Sequence, residues 1–313
     1  MVEYRQEIHR VKVHAVVVNW NGGAANVACL SSLRANGLRA QHIHFIDNGS
    51  TDGSVALAEA TAPGLLIEQT GSNLGFAAAA NRGLRAAWQA GADAVLLMNN
   101  DAVAAQDCVA ALVQVARKDP QYGLYGPRIY ADRAADRLWC CGVRLGAGPN
   151  LGTLRGHGAR GRGRFERDQT VDALTGCGLL LLRAVADAVG ELDESYFVYV
   201  EDADYCARAR KAGFQPRYVA KAVMEHAGAG STGGGYGAAR KYLTAHGTVL
   251  YLKRHGTAAQ WLCWLLFDVL AWPLVFLAAV PRGRAGGAWG KLCGTLAAVF
   301  GRPARRPLVQ QRA

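Results

Sequence analysis

The segment FVYVEDADYCARARKAGF (197–214) sets three carboxylates, Glu201, Asp202 and Asp204, within four positions behind an aromatic, β-branched run. Two chemistries fit that spacing. Acidic side chains at a helix start accept from free backbone N–H groups and complement the helix dipole. One or two carboxylates do that job, and a third adds repulsion. Repulsion with partial burial raises a carboxyl pKa, which suits a proton acceptor. The segment alone leaves capping and general-base readings both open.

The elements that must position these residues alternate in the first half of the chain. VHAVVVN (13–19), HIHFID (42–47), LLIEQ (65–69) and AVLLM (94–98) read as buried strands. Helices fill the gaps, through about Asn36, over TDGSVALAEAT and over FAAAANRGLRAAWQAG (76–91). That alternation predicts an α/β fold with a doubly wound, mostly parallel sheet. Ligands of such sheets bind at the carboxyl ends of the strands. Asn19, Asp47 and Asp101 all fall there.

Beyond Ala102 the pattern turns mixed. A helix over 105–118 leads to short strands around 122–130 and 138–145, and RGHGARGRGR (155–164) reads as a mobile, solvated basic loop. TGCGLLLLR (175–183), an acidic helix over 201–213 and the strand YVAKAVMEH (218–226) complete this half. The expected organisation is a nucleotide-sugar-binding half (1–101), an acceptor and catalytic half of the same domain (102–237) and a basic helical tail (238–313).

The net charge of +11 is unevenly placed. From Ala227 onward eleven Lys and Arg face a single acid, Asp268, so the remaining chain is close to neutral. A nucleic-acid binder would carry a basic face on its folded body, so that class is excluded. The eight cysteines form no CxxC pair, and MVEYRQEIHRVKVH carries no apolar signal segment, which points to a reducing, cytosolic setting. WLCWLLFDVLAWPLVFLAAV (261–280) is long enough to cross a bilayer as one helix. Asp268 near its middle, Pro273 and basic residues on both flanks instead favour a kinked helix lying on or dipping into the inner leaflet, with Trp261, Trp264 and Trp272 near the headgroups. The expected location is the cytoplasmic face of the inner membrane, peripheral or re-entrant, with a single span and a soluble packed helix as the other readings of 261–280.

The ordered set VVVNWNG (16–22), IDNGSTDGS (46–54), NLGFAAAANRG (73–83), LLMNND (96–101), TGCGLLLLR, FVYVEDADYCARARKAG and EHAGAGS (225–231) resembles the family 2 glycosyltransferases of the GT-A fold, rhamnosyltransferase-like branch. The resemblance covers about residues 12–254. It implies inverting transfer of a sugar, rhamnose in that branch, from a nucleotide-sugar donor to a hydroxyl of a lipid-linked or polysaccharide acceptor. It also implies Mg²⁺ or Mn²⁺ and a role in bacterial cell-surface glycan synthesis. By resemblance Asp202 is the catalytic base, with Glu201 supporting it and Asp204 on the acceptor side or capping the helix. Asp101 and His226 map onto the metal ligands, with Asn99 departing from the full DxD pattern. Asn19, Asp47, Asn73, Gly75 and Arg82 map onto the donor side. Each has a structural counter-reading: Asp47 as a turn residue, Arg82 as a surface arginine, His226 as a packed histidine.

Three rivals follow from the same residues. Gly228 to Gly233 spells a GxGxxG, but no βαβ unit or acid follows at the spacing a dinucleotide needs. A sugar nucleotidyltransferase would carry basic residues directly after the first strand, where NWNGGAANV has none. A membrane-tethered, catalytically impaired homologue acting as a scaffold is the non-enzyme reading, favoured by Asn99 and by Ala79-Ala80 where the family has Gly-Asn.

Overall fold

The computed structural model describes residues 11–226 and 237–304. The GxGxxG stretch and the distal basic tail lie outside them. Strands β1 (Val13–Asn19), β2 (Ile43–Asp47), β3 (Leu66–Gln69) and β4 (Ala94–Asn99) run parallel in the order β4-β1-β2-β3. Every residue of β1 and β2 is buried, as befits strands covered on both faces. Helices α1 (Ala25–Ala35) and α2 (Ser54–Thr61) follow β1 and β2, and α3 (Phe76–Gln89) follows β3.

The two faces have separate cores. Alternation sends Val13, Ala15 and Val17 of β1 to one side with Cys29, Leu30 and Leu33 of α1. Val16 and Val18 go to the other side with Ala80 and Leu84 of α3. Gly83 lets α3 lie close on the sheet, since a Cβ there would stand 2.4 Å from Val16 Cγ1.

The second half supplies β5 (Ala102–Ala104), α4 (Cys108–Lys118), β6 (Leu124–Asp132), β7 (Arg137–Cys140), β8 (Val143–Leu145), β9 (Gly152–Leu154), β10 (Gln169–Thr170) and β11 (Gly178–Leu182). Helices α5 (Arg183–Val189) and α6 (Glu201–Lys211) and strand β12 (Pro216–His226) close it. β11 runs antiparallel between β4 and β6, and β6 pairs parallel with β12, so one mixed sheet spans both halves. The expected fold class is thus borne out. The arginine-rich loop is anchored at its base, where Arg155 donates to Cys141 O and Gly161 N–H to Asp136, while Arg160, Arg162 and Arg164 stay exposed as the solvated reading expects.

Helix α7 (Ala238–His255) leads to α8 (Ala258–Trp264), a π turn over Leu265–Leu270, α9 (Trp272–Ala279) and α10 (Ala285–Val299). Among the described residues no single helix is long and apolar enough to cross a membrane; the pair 258–270 and 272–282, bent by 46°, passes only jointly. The break falls at Ala271, between the π turn and Pro273 in the first turn of α9, a position proline tolerates. Asp268, near the middle of the apolar run, pairs with Lys291 of α10. Trp272 donates its indole N–H to Ala288 O at 2.9 Å and stacks on Phe276, so it is spent on internal packing.

Three histidines stack at the amino-terminal ends of β1 and β2. His14 Nδ1 lies 2.9 Å from His44 Nε2, and the His14 and His42 rings are 4.6 Å apart. Burial, then the neighbouring His42 and His44, pushes His14 down to about 4. Burial and His42 push His44 to about 4 as well. Both rings are therefore buried neutral, and acid must charge them. Their stability contribution is present above the unfolded value near 6.5 and is lost as pH falls toward 4. Urea titrations should show stability dropping by about 1–3 kcal/mol across that window. The double variant His14→Gln/His44→Gln should flatten the slope there; an unchanged slope would dismiss the histidine stack as its source.

Candidate active site

Three strand ends meet in one hydrogen-bonded knot. Asn19, fully buried at the end of β1, donates to Asp47 Oδ1 at 2.8 Å and to Ser50 Oγ at 3.0 Å. Its own Oδ1 accepts from Asn100 Nδ2 at 2.7 Å. Asp47 Oδ2 accepts from the Ser50 N–H at 3.1 Å, so the turn-building reading of Asp47 holds, and the side chain is almost wholly buried. Gly22 makes room for this knot, since a Cβ there would collide with Asn100 Nδ2. Asp52, which the motif reading passed over, bonds the Gly23 N–H at 2.9 Å and ties the loops after β1 and β2 together.

Asn73 and Gly75 form the approach to α3. Asn48 Nδ2 donates to Asn73 Oδ1 at 3.1 Å and to Gly75 O at 3.2 Å, while Gly75 N–H donates to Asn73 Oδ1 at 2.9 Å. Gly75 is left-handed at φ +92°, and a Cβ there would stand 2.5 Å from Phe197 O. The next amide, Phe76 N–H, donates to that same carbonyl at 2.6 Å. The donor-side loop therefore touches the segment leading into the acidic helix. Arg82 is elsewhere. It pairs at 2.8 Å with Glu68 of edge strand β3, both side chains about two-fifths exposed, so the donor-facing expectation is not met.

Asp101 and His226 come together through strand register. β5 begins directly after Asp101, and its Ala102 pairs with His226 at the end of β12. His226 Nε2 lies 3.1 Å from Asp101 Oδ1. Burial pushes the Asp101 carboxyl up, but the adjacent imidazole outweighs it and leaves the carboxyl below its ordinary value. Neither ring nitrogen of the buried His226 has an aligned hydrogen-bond partner. A carboxylate beside an imidazole with orphaned nitrogens is a donor set that fits a divalent cation. Among the described residues no third His, Cys, Asp or Glu joins the pair, so substrate oxygens and water would complete any coordination. Asn99 adds no anionic ligand, and its carbonyl takes a long contact from Cys29 Sγ.

The acidic triplet divides by environment. Glu201 is buried, its Oε2 is unpartnered, and burial with the Asp202 charge pushes its pKa well up. Asp202 is only half-buried. Burial raises its pKa too, opposed by N–H donors from Gly176 at 3.2 Å and Ala203 at 2.7 Å. Asp204 is sealed inside, accepting from Arg208 Nε, Tyr196 OH and His255 Nε2 at 2.9, 3.3 and 2.8 Å. Its acceptor-side expectation is corrected: three internal partners use its oxygens, and it joins α6 to α7.

Asp202 and Asp101 share one end of the sheet. Gly178 pairs with Met98 across β11 and β4, so Gly176, which holds Asp202, is level with Asn100. The Cys177 thiol, raised to about 12 mainly by burial, lies in the field of both aspartates. A cavity of about 310 Å³ lined by Val11, Ala94 and Leu182 opens at the opposite strand ends and carries none of these residues.

A family model described as glycosyl transferase family 2 matches residues 15–190. The chain belongs to that family. It is a glycosyltransferase 31% identical over 235 residues, 70% of this chain and 76% of the relative, to an N-acetylglucosaminyl-diphospho-decaprenol L-rhamnosyltransferase of two Mycobacterium tuberculosis strains. An uncharacterized Sinorhizobium fredii protein is 32% identical over 46% of this chain and 16% of its own length. Two solved structures share the fold. GalNAc-T7 with UDP, GalNAc and Mn²⁺ matches at TM-score 0.55 and 14% identity over 69% of this chain and 43% of its own. The Pyrobaculum calidifontis mannosyltransferase PcManGT with GDP-Man and Mn²⁺ matches at TM-score 0.55 and 15% identity over 93% and 87%. The GT-A architecture expected from the motifs is therefore present in this family 2 chain.

The turn ahead of the acidic helix is strained. Tyr199 and Val200 both adopt left-handed φ, +72° and +73°, which is rare for a β-branched residue. Gly247 of α7 packs against it; a Cβ there would stand 2.9 Å from Tyr199 O and 3.2 Å from Val200 Cβ. Strain of this kind persists where surrounding structure over-determines it, often at functional sites. Gly247→Ala gains helix propensity yet displaces the turn. We expect kcat to fall about 10–100-fold with donor affinity retained. An unaltered kcat in a stably folded variant would show that the turn does not position Asp202.

Proposed function

We propose that this glycosyltransferase moves a sugar, rhamnose first among the candidates, from a nucleotide-sugar donor to a hydroxyl of a lipid-diphosphate-linked acceptor. The transfer inverts the anomeric centre, and the setting is the cytoplasmic face of a bacterial membrane during cell-surface glycan synthesis. The observation that carries the reading is the placement of the Asp101–His226 pair and of Asp202 at one end of the sheet, bridged by the Gly176 loop. The lipid acceptor and rhamnose rest on the name of the mycobacterial relative. The membrane setting rests on the exposed apolar side chains of the bent pair, such as Leu262, Leu270, Leu274 and Leu277.

In this mechanism Asp202 takes the proton of the acceptor hydroxyl as that oxygen bonds to the anomeric carbon. The bond from that carbon to the donor diphosphate breaks, and the electron pair leaves with the diphosphate. One displacement without an enzyme-bound sugar gives inversion. Burial and the Asp202 charge push the Glu201 carboxyl well above its ordinary value, which favours placing the negative charge on its neighbour. Asn19, Asp47, Asn73 and Gly75 shape the donor loop through their mutual hydrogen bonds. Asp101 and His226 would hold Mg²⁺ or Mn²⁺, which stabilises charge on a leaving diphosphate.

A panel of nucleotide sugars, including an activated rhamnose, is to be tested with Mn²⁺ on a diphospholipid-linked N-acetylglucosamine acceptor. Asp202→Asn should bind the donor normally and lose about 10²–10⁴-fold in kcat. Near-normal turnover in that variant would remove the base assignment. Absence of transfer and of donor hydrolysis by the parent with every donor would favour the scaffold reading, and diphosphate release from a nucleoside triphosphate the nucleotidyltransferase one.

The cation has its own test. EDTA should abolish transfer and added Mn²⁺ restore it. Asp101→Asn should weaken Mn²⁺-dependent binding of nucleoside diphosphate, read calorimetrically, by about tenfold or more. Full activity in EDTA would refute metal dependence.

A further inference from the structure

Three cations from two helices gather beside the strained turn, and the reaction above does not use them. Arg240 and Lys241 lie in the first turn of α7, and Lys291 lies on α10. Glycines bring these helices together backbone to backbone. A Cβ on Gly290 would stand 2.3 Å from Ala238 O, and one on Gly294 would stand 2.1 Å from Tyr242 O. Lys291 is thereby placed next to Lys241. Burial, then the Lys291 and Arg240 charges, lowers the Lys241 pKa, with Asp268 acting the other way. Asp268 also takes Lys291 as its ion-pair partner and is the sole acid of the chain after residue 226. Arg240, Lys241 and Lys291 thus gather around the one acid Asp268.

Its location has chemistry on both sides. Toward the site, Arg240 sits 5.6 Å from the centroid of the Tyr199 ring, three residues before Asp202. Tyr242 and Leu243 pack with Phe197 and with Trp20, which follows the strand-end Asn19. Away from the site, Asp268 lies in the π turn of the bent pair, whose Leu270, Leu274 and Leu277 are exposed. A ligand matching this layout has an apolar chain, a doubly anionic head and a hydroxyl-bearing group beyond the head. A simple anionic bilayer matches only the first two.

We infer that Arg240, Lys241 and Lys291 hold the diphosphate of a polyprenyl-diphosphate acceptor whose chain lies along the bent helices 258–282. This rests on the lipid-linked acceptor reading above. Charge-assisted contacts to the two phosphates would set the height of the attached sugar relative to Asp202.

The test is co-sedimentation of the full-length protein with phosphatidylcholine vesicles doped with undecaprenyl diphosphate, no nucleotide sugar being present. Arg240→Gln/Lys241→Gln should reduce retention about tenfold or more, and Arg240→Lys/Lys241→Arg should restore it. The same Gln variant should bind phosphatidylglycerol vesicles lacking the polyprenyl lipid as the parent does. Unchanged retention on the doped vesicles would overturn the inference, and so would an equal loss on phosphatidylglycerol, which would mean general membrane charge. The assay involves no transfer, so its failure leaves the turnover result standing, and a failed turnover is read separately.

Discussion

The carbonyl of Phe197 is the contact on which the site depends. It accepts from the Phe76 amide at 2.6 Å, at a place where residue 75 can carry no side chain. That bond joins the loop entering α3, set by Asn48 and Asn73, to the segment that ends in Glu201 and Asp202. The two are more than a hundred residues apart, so chain connectivity does not hold them. From the other side, Gly247 admits α7 against Tyr199 and Val200. The left-handed turn is thus clamped between two close glycine approaches. Such a clamp explains how two unfavourable residues persist, each costing on the order of 1–3 kcal/mol.

Three carboxylates of similar chemistry acquire three roles because burial treats them differently. Glu201 is enclosed with an unpartnered oxygen, and an isolated buried carboxylate costs several kcal/mol, so burial pushes its carboxyl well up. Asp204 is equally enclosed but its oxygens are met by Arg208 Nε and His255 Nε2. Asp202 alone keeps solvent access, with two backbone donors that fix it without neutralising it. Repulsion among the three, the feature most visible in the segment EDAD, is limited inside the fold because burial raises the Glu201 carboxyl and Arg208 pairs with Asp204.

Much of this was legible in the sequence. The alternation of apolar strands and helices placed Asn19, Asp47 and Asp101 at strand ends, and the register of β1, β2 and β4 agrees. The pairing of Asp101 with His226 follows from motif order, although β5, the short strand that enforces it, is three residues long and has no sequence signal of its own. What was hidden depends on partners distant in the chain. Arg82 and Asp204 read as site residues because their partners, Glu68 and His255, lie in other elements. Asp268 read as a defect in an apolar helix because Lys291 belongs to the next one. The positive φ at Tyr199 and Val200 carries no compositional mark, since glycine, the residue that normally signals it, is absent there and sits instead at 75 and 247.

The helical tail is not an appendage to the catalytic body. His255, the last residue of α7, reaches Asp204 at 2.8 Å and Lys211 at 3.0 Å, while Arg254 pairs with Asp193 at 2.6 Å. Two residues later Thr257 opens α8 with a reciprocal capping box, so the apolar bent pair departs from a fixed point on the helix that carries Asp202. Lys253 further ties α7 to Ala298 O at the end of α10. A flexible tether would leave the apolar helices free to move against the acidic helix, whereas the contacts of His255 and Arg254 hold their start beside α6, where Asp204 lies two residues from Asp202.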